Sequence, residues 1–97
     1  MGGADRSSEP MDVRRRKLLF RAWHRGMREM DLILGRFAEL AIAQLSAEEL
    51  DELEELMTVP DRVLLGWITG ETDVQPEFDT ALFRRLRDFN RGGEGAR

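Results

Sequence analysis

The side chains that could carry chemistry in this 97-residue chain are few: one histidine (His24), three serines (Ser7, Ser8 and Ser46), nineteen carboxylates and no cysteine. None of the serines has a base nearby in sequence, and Ser46-Ala47-Glu48-Glu49 already reads as a helix capping box. A lone histidine near a helix end is more often a capping or surface group than a base. The acid pairs Glu48/Glu49 and Glu54/Glu55 lie in a continuous solvated stripe, with no apolar pocket to raise a carboxyl pKa toward that of a general acid. Without cysteine there is no disulfide scaffold, thiolate zinc site or cysteine nucleophile, and one histidine leaves little for a transition metal. The paired glycines 2–3 and 92–93 fall in the expected tails, so no glycine-rich loop opens a helix onto phosphate. The sequence therefore assigns no catalytic residue and no metal ligand. Binding is the better class of function.

The most informative stretch is Arg25-Gly26-Met27-Arg28-Glu29, set between the apolar clusters Leu18-Leu19-Phe20 and Ile33-Leu34. A glycine costs about 1 kcal/mol inside a helix relative to alanine, so its place here marks a helix end or a close approach by another backbone. Two readings stand side by side. In one, Gly26 is a helix cap and Arg25 and Glu29, four apart, form a solvated pair on one helix face. In the other, the segment is a small charged notch built for a partner.

Charge is distributed in blocks. Residues 1–45 hold nine Lys/Arg and six Asp/Glu (+3), residues 46–79 one and eleven (−10), and residues 80–97 five and two (+3). A dipolar surface of this kind favours oriented protein–protein encounter over indiscriminate binding to a polyanion. The run Arg14-Arg15-Arg16-Lys17 is the one argument for nucleic acid, and it reads more simply as a solvated helix face. No apolar run approaches the roughly 20 residues of a membrane span. The first twelve residues lack a secretory core, a transit-peptide composition and a myristoylation pattern, so the chain is expected in the cytoplasm.

The elements that must position the notch are helical nearly throughout. A first helix is expected from Asp12 to about His24, with Leu19, Phe20 and Trp23 as its apolar stripe. Met27, Met30, Ile33 or Leu34, Phe37, Leu40 and Ala41 mark a second, weakened and kinked at Gly35. The capping box opens a third helix carrying Leu50, Leu53 and Leu56, with its acids facing water. Pro60-Asp61 starts a fourth, bearing Leu64, Trp67 and Ile68 and ending at Gly70. After a turn over residues 71–75, Pro76 opens a fifth with Phe78, Leu82, Leu86 and Phe89 on one face. The expectation is an all-α protein: a small five-helix bundle over residues 11–91, with a disordered tail at 1–10 and a flexible one at 92–97.

Arg25-Gly26-Met27-Arg28-Glu29, continued by Met30-Asp31, resembles the RGxxE signature of the FAD assembly factors of succinate dehydrogenase, the SdhE-type family. The likeness runs over about residues 14–90. It takes in Phe37-Ala38-Glu39, Leu45-Ser46 before an acidic helix, Asp61 ahead of Leu64-Leu65 and Trp67, and Pro76-Glu77-Phe78 before the last helix to Asn90. Gly35-Arg36 departs from the pattern, where a bulkier residue and often a proline would stand. The resemblance implies an accessory factor that is not itself an enzyme. It would bind the flavoprotein subunit of succinate dehydrogenase, and of fumarate reductase in some bacteria, and promote covalent attachment of FAD to a histidine of that subunit. The flavin would belong to the partner, so no cofactor is expected on this chain, which would be a bacterial cytoplasmic protein and a monomer when free. Arg25, Gly26 and Glu29 inherit the partner contact directly, with Arg21, Met27, Arg28 and Asp31 as neighbours; Met27 serves equally well as core. Arg25 would pair with a partner carboxylate or a bound dicarboxylate, Gly26 would admit a close backbone, and Glu29 would orient a partner Arg or His. Two alternatives stay open: an antitoxin-like interaction module that binds a membrane-associated toxin, and a helical nucleic-acid binder using residues 14–17.

Overall fold

In the computed structural model of the protein, which describes residues 11–92, the Asp12 carboxylate accepts the backbone N–H of Arg15 at 2.8 Å and so caps the first helix, α1 (Val13–Trp23). The second, α2 (Arg28–Ala41), has no side-chain cap but carries Glu29 and Asp31 in its first turn, where negative charge meets the positive end of the helix dipole. A short 3-10 turn (Ile42–Gln44) leads to Ser46, whose Oγ accepts the N–H of Glu49 at 3.1 Å while Glu49 accepts the N–H of Ser46 at 2.9 Å. That reciprocal capping box opens α3 (Ala47–Met57), as its sequence requires. Helix α4 (Asp61–Thr69) follows Pro60 and ends at Gly70. Helix α5 (Ala81–Asn90) begins after Thr80, whose hydroxyl accepts the N–H of Phe83 at 3.0 Å. The five-helix, all-α fold is as expected, with no strand among the described residues. Of the two expected tails, residues 1–10 and 93–97 lie outside the described residues.

The core runs through all five helices, with Leu18, Met30, Leu34, Leu53, Leu64 and Phe83 at 1 % exposure or less. Trp67 is buried as expected, tilted against Phe78 at 5.4 Å and edge-on to Phe83 at 6.4 Å between centroids. Four details differ from expectation. On α1 the buried line is Leu18 and Ala22, one turn apart, while Phe20 is 63 % exposed; the phase of the helix decides burial there, and side-chain size misleads. On α2, Leu40 points outward at 58 % exposure. Gly35 does not break α2. A Cβ there would collide with the indole of Trp23, so the glycine is the seat that lets α1 pack against α2. Pro76 opens a separate 3-10 turn (Pro76–Phe78) and not α5, because the Thr80 cap takes precedence.

Half of the basic run departs from the expected solvated face: Arg16 and Lys17 are exposed, whereas Arg14 and Arg15 are half-buried. Arg14 reaches across to α3, donating to Asp51 at 2.5 Å and Glu54 at 3.0 Å, and these acids hold its guanidinium pKa above the usual value. Arg15 donates to the carbonyls of Ile42 at 2.9 Å and Leu45 at 2.5 Å, supplying donors at the end of the α2 segment. Arg16 meets the Met11 carbonyl at 2.6 Å. The charge blocks seen in sequence are therefore joined largely within the molecule. For the same reason the acids of α3 do not all face water, since Glu49 also lies 3.6 Å from Arg85.

Candidate functional site

Helix α1 ends at Trp23 with His24 as its cap residue. The His24 N–H donates to the Arg21 carbonyl at 3.2 Å, its Nδ1 lies 2.6 Å from the Phe20 carbonyl, and its ring stacks on Phe20 at 3.9 Å. The expected capping role thus fits His24. Residues 25–27 then turn the chain into α2, and Gly26 takes φ of +99°, a conformation that side-chain-bearing residues avoid. Among the described residues nothing lies within 4 Å of where its Cβ would stand. Gly26 stands two residues past the helix cap His24, in a loop turn of positive φ, so it is not itself the cap that one of the two readings expected.

The expected helix-face pair of Arg25 with Glu29 does not form, because Arg25 lies in the loop and Glu29 in the first turn of α2. The Arg25 guanidinium turns inward. Its Nε donates to Asp61 Oδ1 at 2.7 Å, Nη1 to the Met57 carbonyl at 2.6 Å and Nη2 to the Val59 carbonyl at 2.7 Å. Its backbone N–H donates to Asp31 Oδ1 at 2.5 Å. The Arg25 side chain is only 11 % exposed and that of Asp61 21 %. A planar fork with acceptors on three nitrogens has one orientation, so the α1–α2 loop is pinned to the corner between α3 and α4. Met27 is half-buried against the core.

What remains outward is a different subset of the motif. Gly26, Arg28, Glu29 and Arg21 are exposed, and the side chains of Arg21, Arg28 and Glu29 make no hydrogen bond or ion pair among the described residues. The structure thus brings Arg25, Asp31 and Asp61 together inside and leaves Gly26 and Glu29 on the face. Asp61 was legible in sequence only as a helix-start acid; nothing local signals a partner 36 residues away. No group of three metal-ligand side chains converges among the described residues, and no helix of theirs is long and apolar enough to cross a membrane. An open notch of this kind can offer a carboxylate, two guanidinium groups and an uncovered stretch of main chain to another protein.

The model of a family described as flavinator of succinate dehydrogenase matches residues 16–90, which takes in all of the bundle except the first turn of α1. The chain belongs to this family. Among its relatives, the FAD assembly factor SdhE of Acetobacter pasteurianus is 35 % identical over 85 residues, covering 88 % of this chain and 78 % of that protein. The mitochondrial succinate dehydrogenase assembly factor 2 of Debaryomyces hansenii is 41 % identical over 71 residues, 73 % of this chain and 50 % of its own length. That of Dictyostelium discoideum is 39 % identical over 73 residues, 75 % of this chain and 52 % of its own. The chain thus spans most of the bacterial relative and about half of these two mitochondrial ones. No solved structure matches it. The family is one of assembly factors, and the resemblance carried by the RGxxE residues names the same one.

Proposed function

We propose that this protein docks on the flavoprotein subunit of succinate dehydrogenase in the bacterial cytoplasm and promotes covalent attachment of FAD to it. It binds no flavin of its own, and the reacting histidine belongs to the partner. The observation that carries this reading is the family match across nearly the whole bundle. The exposed Gly26, on a loop fixed from behind, and the exposed Glu29, in the first turn of α2 beside it, suit a docking role. Attachment requires the isoalloxazine held against its histidine with water excluded. A small rigid body can assist by binding one domain arrangement of the flavoprotein better than the others, which raises the population of the competent state. In that contact Gly26 admits the partner's backbone and Glu29 orients a partner cation through a charge-assisted bond. Fumarate reductase is a second client on this reading. The test is to incubate the isolated flavoprotein subunit with FAD, with and without this protein, then denature it and read flavin fluorescence on the polypeptide. The protein should raise the bound signal severalfold; equal signals would overturn the proposal.

A further inference from the structure

We propose that Asp61, which lies outside the RGxxE segment, is a positioning residue for flavoprotein docking: it holds the Arg25 guanidinium so that the α1–α2 loop presents Gly26, next to Glu29 at the start of α2, in one fixed geometry. The inference rests on the docking reading above. It divides the motif into a strut and a contact face, with Arg25 acting from inside the molecule.

The loop has few other restraints. Among the described residues the N–H groups of Gly26 and Met27 donate no hydrogen bond, so the turn is held by the bonds of Arg25, by the Met27 carbonyl accepting the Asp31 N–H at 2.9 Å where α2 begins, and by the packing of the Met27 side chain. Arg25 is anchored at both ends: its N–H binds Asp31 on α2, and its guanidinium spans the Met57 and Val59 carbonyls and the Asp61 carboxylate at the α3–α4 corner. Of those four acceptors on three elements, Asp61 supplies the only charge that meets the guanidinium. Both side chains are mostly withdrawn from water, which strengthens the bond and makes its direction specific. An Asp61→Asn variant would keep a polar side chain of the same size and lose the ionic acceptor. Arg25 would then release the loop for part of the time. A partner that needs one loop geometry sees its affinity lowered by the fraction of molecules that have it.

The experiment titrates factor into flavoprotein subunit and FAD and reads covalent flavin. Wild type, Asp61→Asn and Asp61→Glu are compared at a temperature where melts show all three folded. Amide hydrogen exchange at residues 25–27 is read in parallel. Asp61→Asn should raise the half-saturating factor concentration roughly tenfold, leave the rate at saturation unchanged and speed exchange at 25–27. Asp61→Glu, which restores the charge, should recover most of the lost affinity. A purely architectural Asp61 would lower the melting temperature without moving half-saturation, and that result would overturn the proposal. So would a fall in the saturating rate at unchanged half-saturation. If Asp61→Asn does not fold, Arg25→Lys replaces it, because one ammonium cannot serve the three acceptors and the same shifts are expected. If wild type itself gives no stimulation, the docking reading fails and this inference with it. If wild type stimulates and the variants titrate alike, this inference alone fails.

Discussion

Truncating Arg25 to alanine should destabilise the protein far more than its place in a loop implies. Three side-chain hydrogen bonds are lost, and Asp61 and the carbonyls of Met57 and Val59 are left without that donor. Neutral hydrogen bonds contribute about 0.5–1.5 kcal/mol each and charged ones about 1.5–3 kcal/mol. Arg25 is 11 % and Asp61 21 % exposed, so water returns to part of the vacated site and the full penalty of a buried orphan charge does not apply. The expected loss is about 2–4 kcal/mol, a large share of the ~5–15 kcal/mol typical of a domain. A domain of this size loses about 4–8 °C per kcal/mol, so the melting temperature should fall by roughly 8–32 °C. Urea titration followed by circular dichroism is the assay, with an unchanged slope indicating that the same surface unfolds. Glu29→Ala is the internal control, costing at most about 1 kcal/mol of helix-dipole stabilisation. An Arg25→Ala loss below about 0.5 kcal/mol would refute the strut and return its guanidinium to the surface.

Gly35→Ala should cost about 1–3 kcal/mol in the same titration, since the new methyl meets the rigid Trp23 indole. With no such contact alanine would instead stabilise the helix by about 1 kcal/mol, so the sign of the change decides. Replacing Arg14, Arg15 and Arg16 by glutamine should lower stability by about 1–3 kcal/mol, chiefly through the Ile42 and Leu45 carbonyls that Arg15 serves; an unchanged urea midpoint would contradict that. Asp12 accepts the backbone N–H of Arg15, which with the neighbouring arginine holds its pKa below the usual carboxylate value. A depressed folded pKa means the cap is intact above the unfolded value near 4 and is lost as pH falls through the folded one. Amide exchange in the first turn of α1, corrected for its intrinsic pH dependence, should show protection falling only below about pH 4, and Asp12→Ala should abolish that dependence.

The parts of the fold that were legible in sequence are those set by near neighbours. Ser46 and Glu49 are three residues apart, and their reciprocal bonds need no information from elsewhere. Helix existence followed from apolar period, as in α3 and α4. What misled was ranking by size or local pattern where a distant contact decides. Phe20 outweighs Ala22 in hydrophobicity, yet the line through Leu18 and Ala22 faces α2. Gly35 looks like a helix breaker until Trp23, twelve residues earlier, is placed on it. In the candidate site, the spacing of Arg25 and Glu29 suggested a shared helix face, whereas the partner of Arg25 lies at position 61. Gly26 was readable because a glycine between two helical patterns has few other uses.

The notch is tested most directly by the Glu29→Ala variant of this protein in the flavinylation assay, alongside its thermal melt. Glu29 is exposed and its side chain has no hydrogen bond or ion pair among the described residues, so a folded variant with nearly unchanged stability is expected. Loss of one charge-assisted bond to the flavoprotein, about 1.5–3 kcal/mol, should weaken docking roughly ten- to a hundredfold and strongly reduce covalent flavin at limiting factor. Wild-type levels of covalent flavin from this folded variant across the titration would contradict the assignment of Glu29, and with it the notch as the docking face.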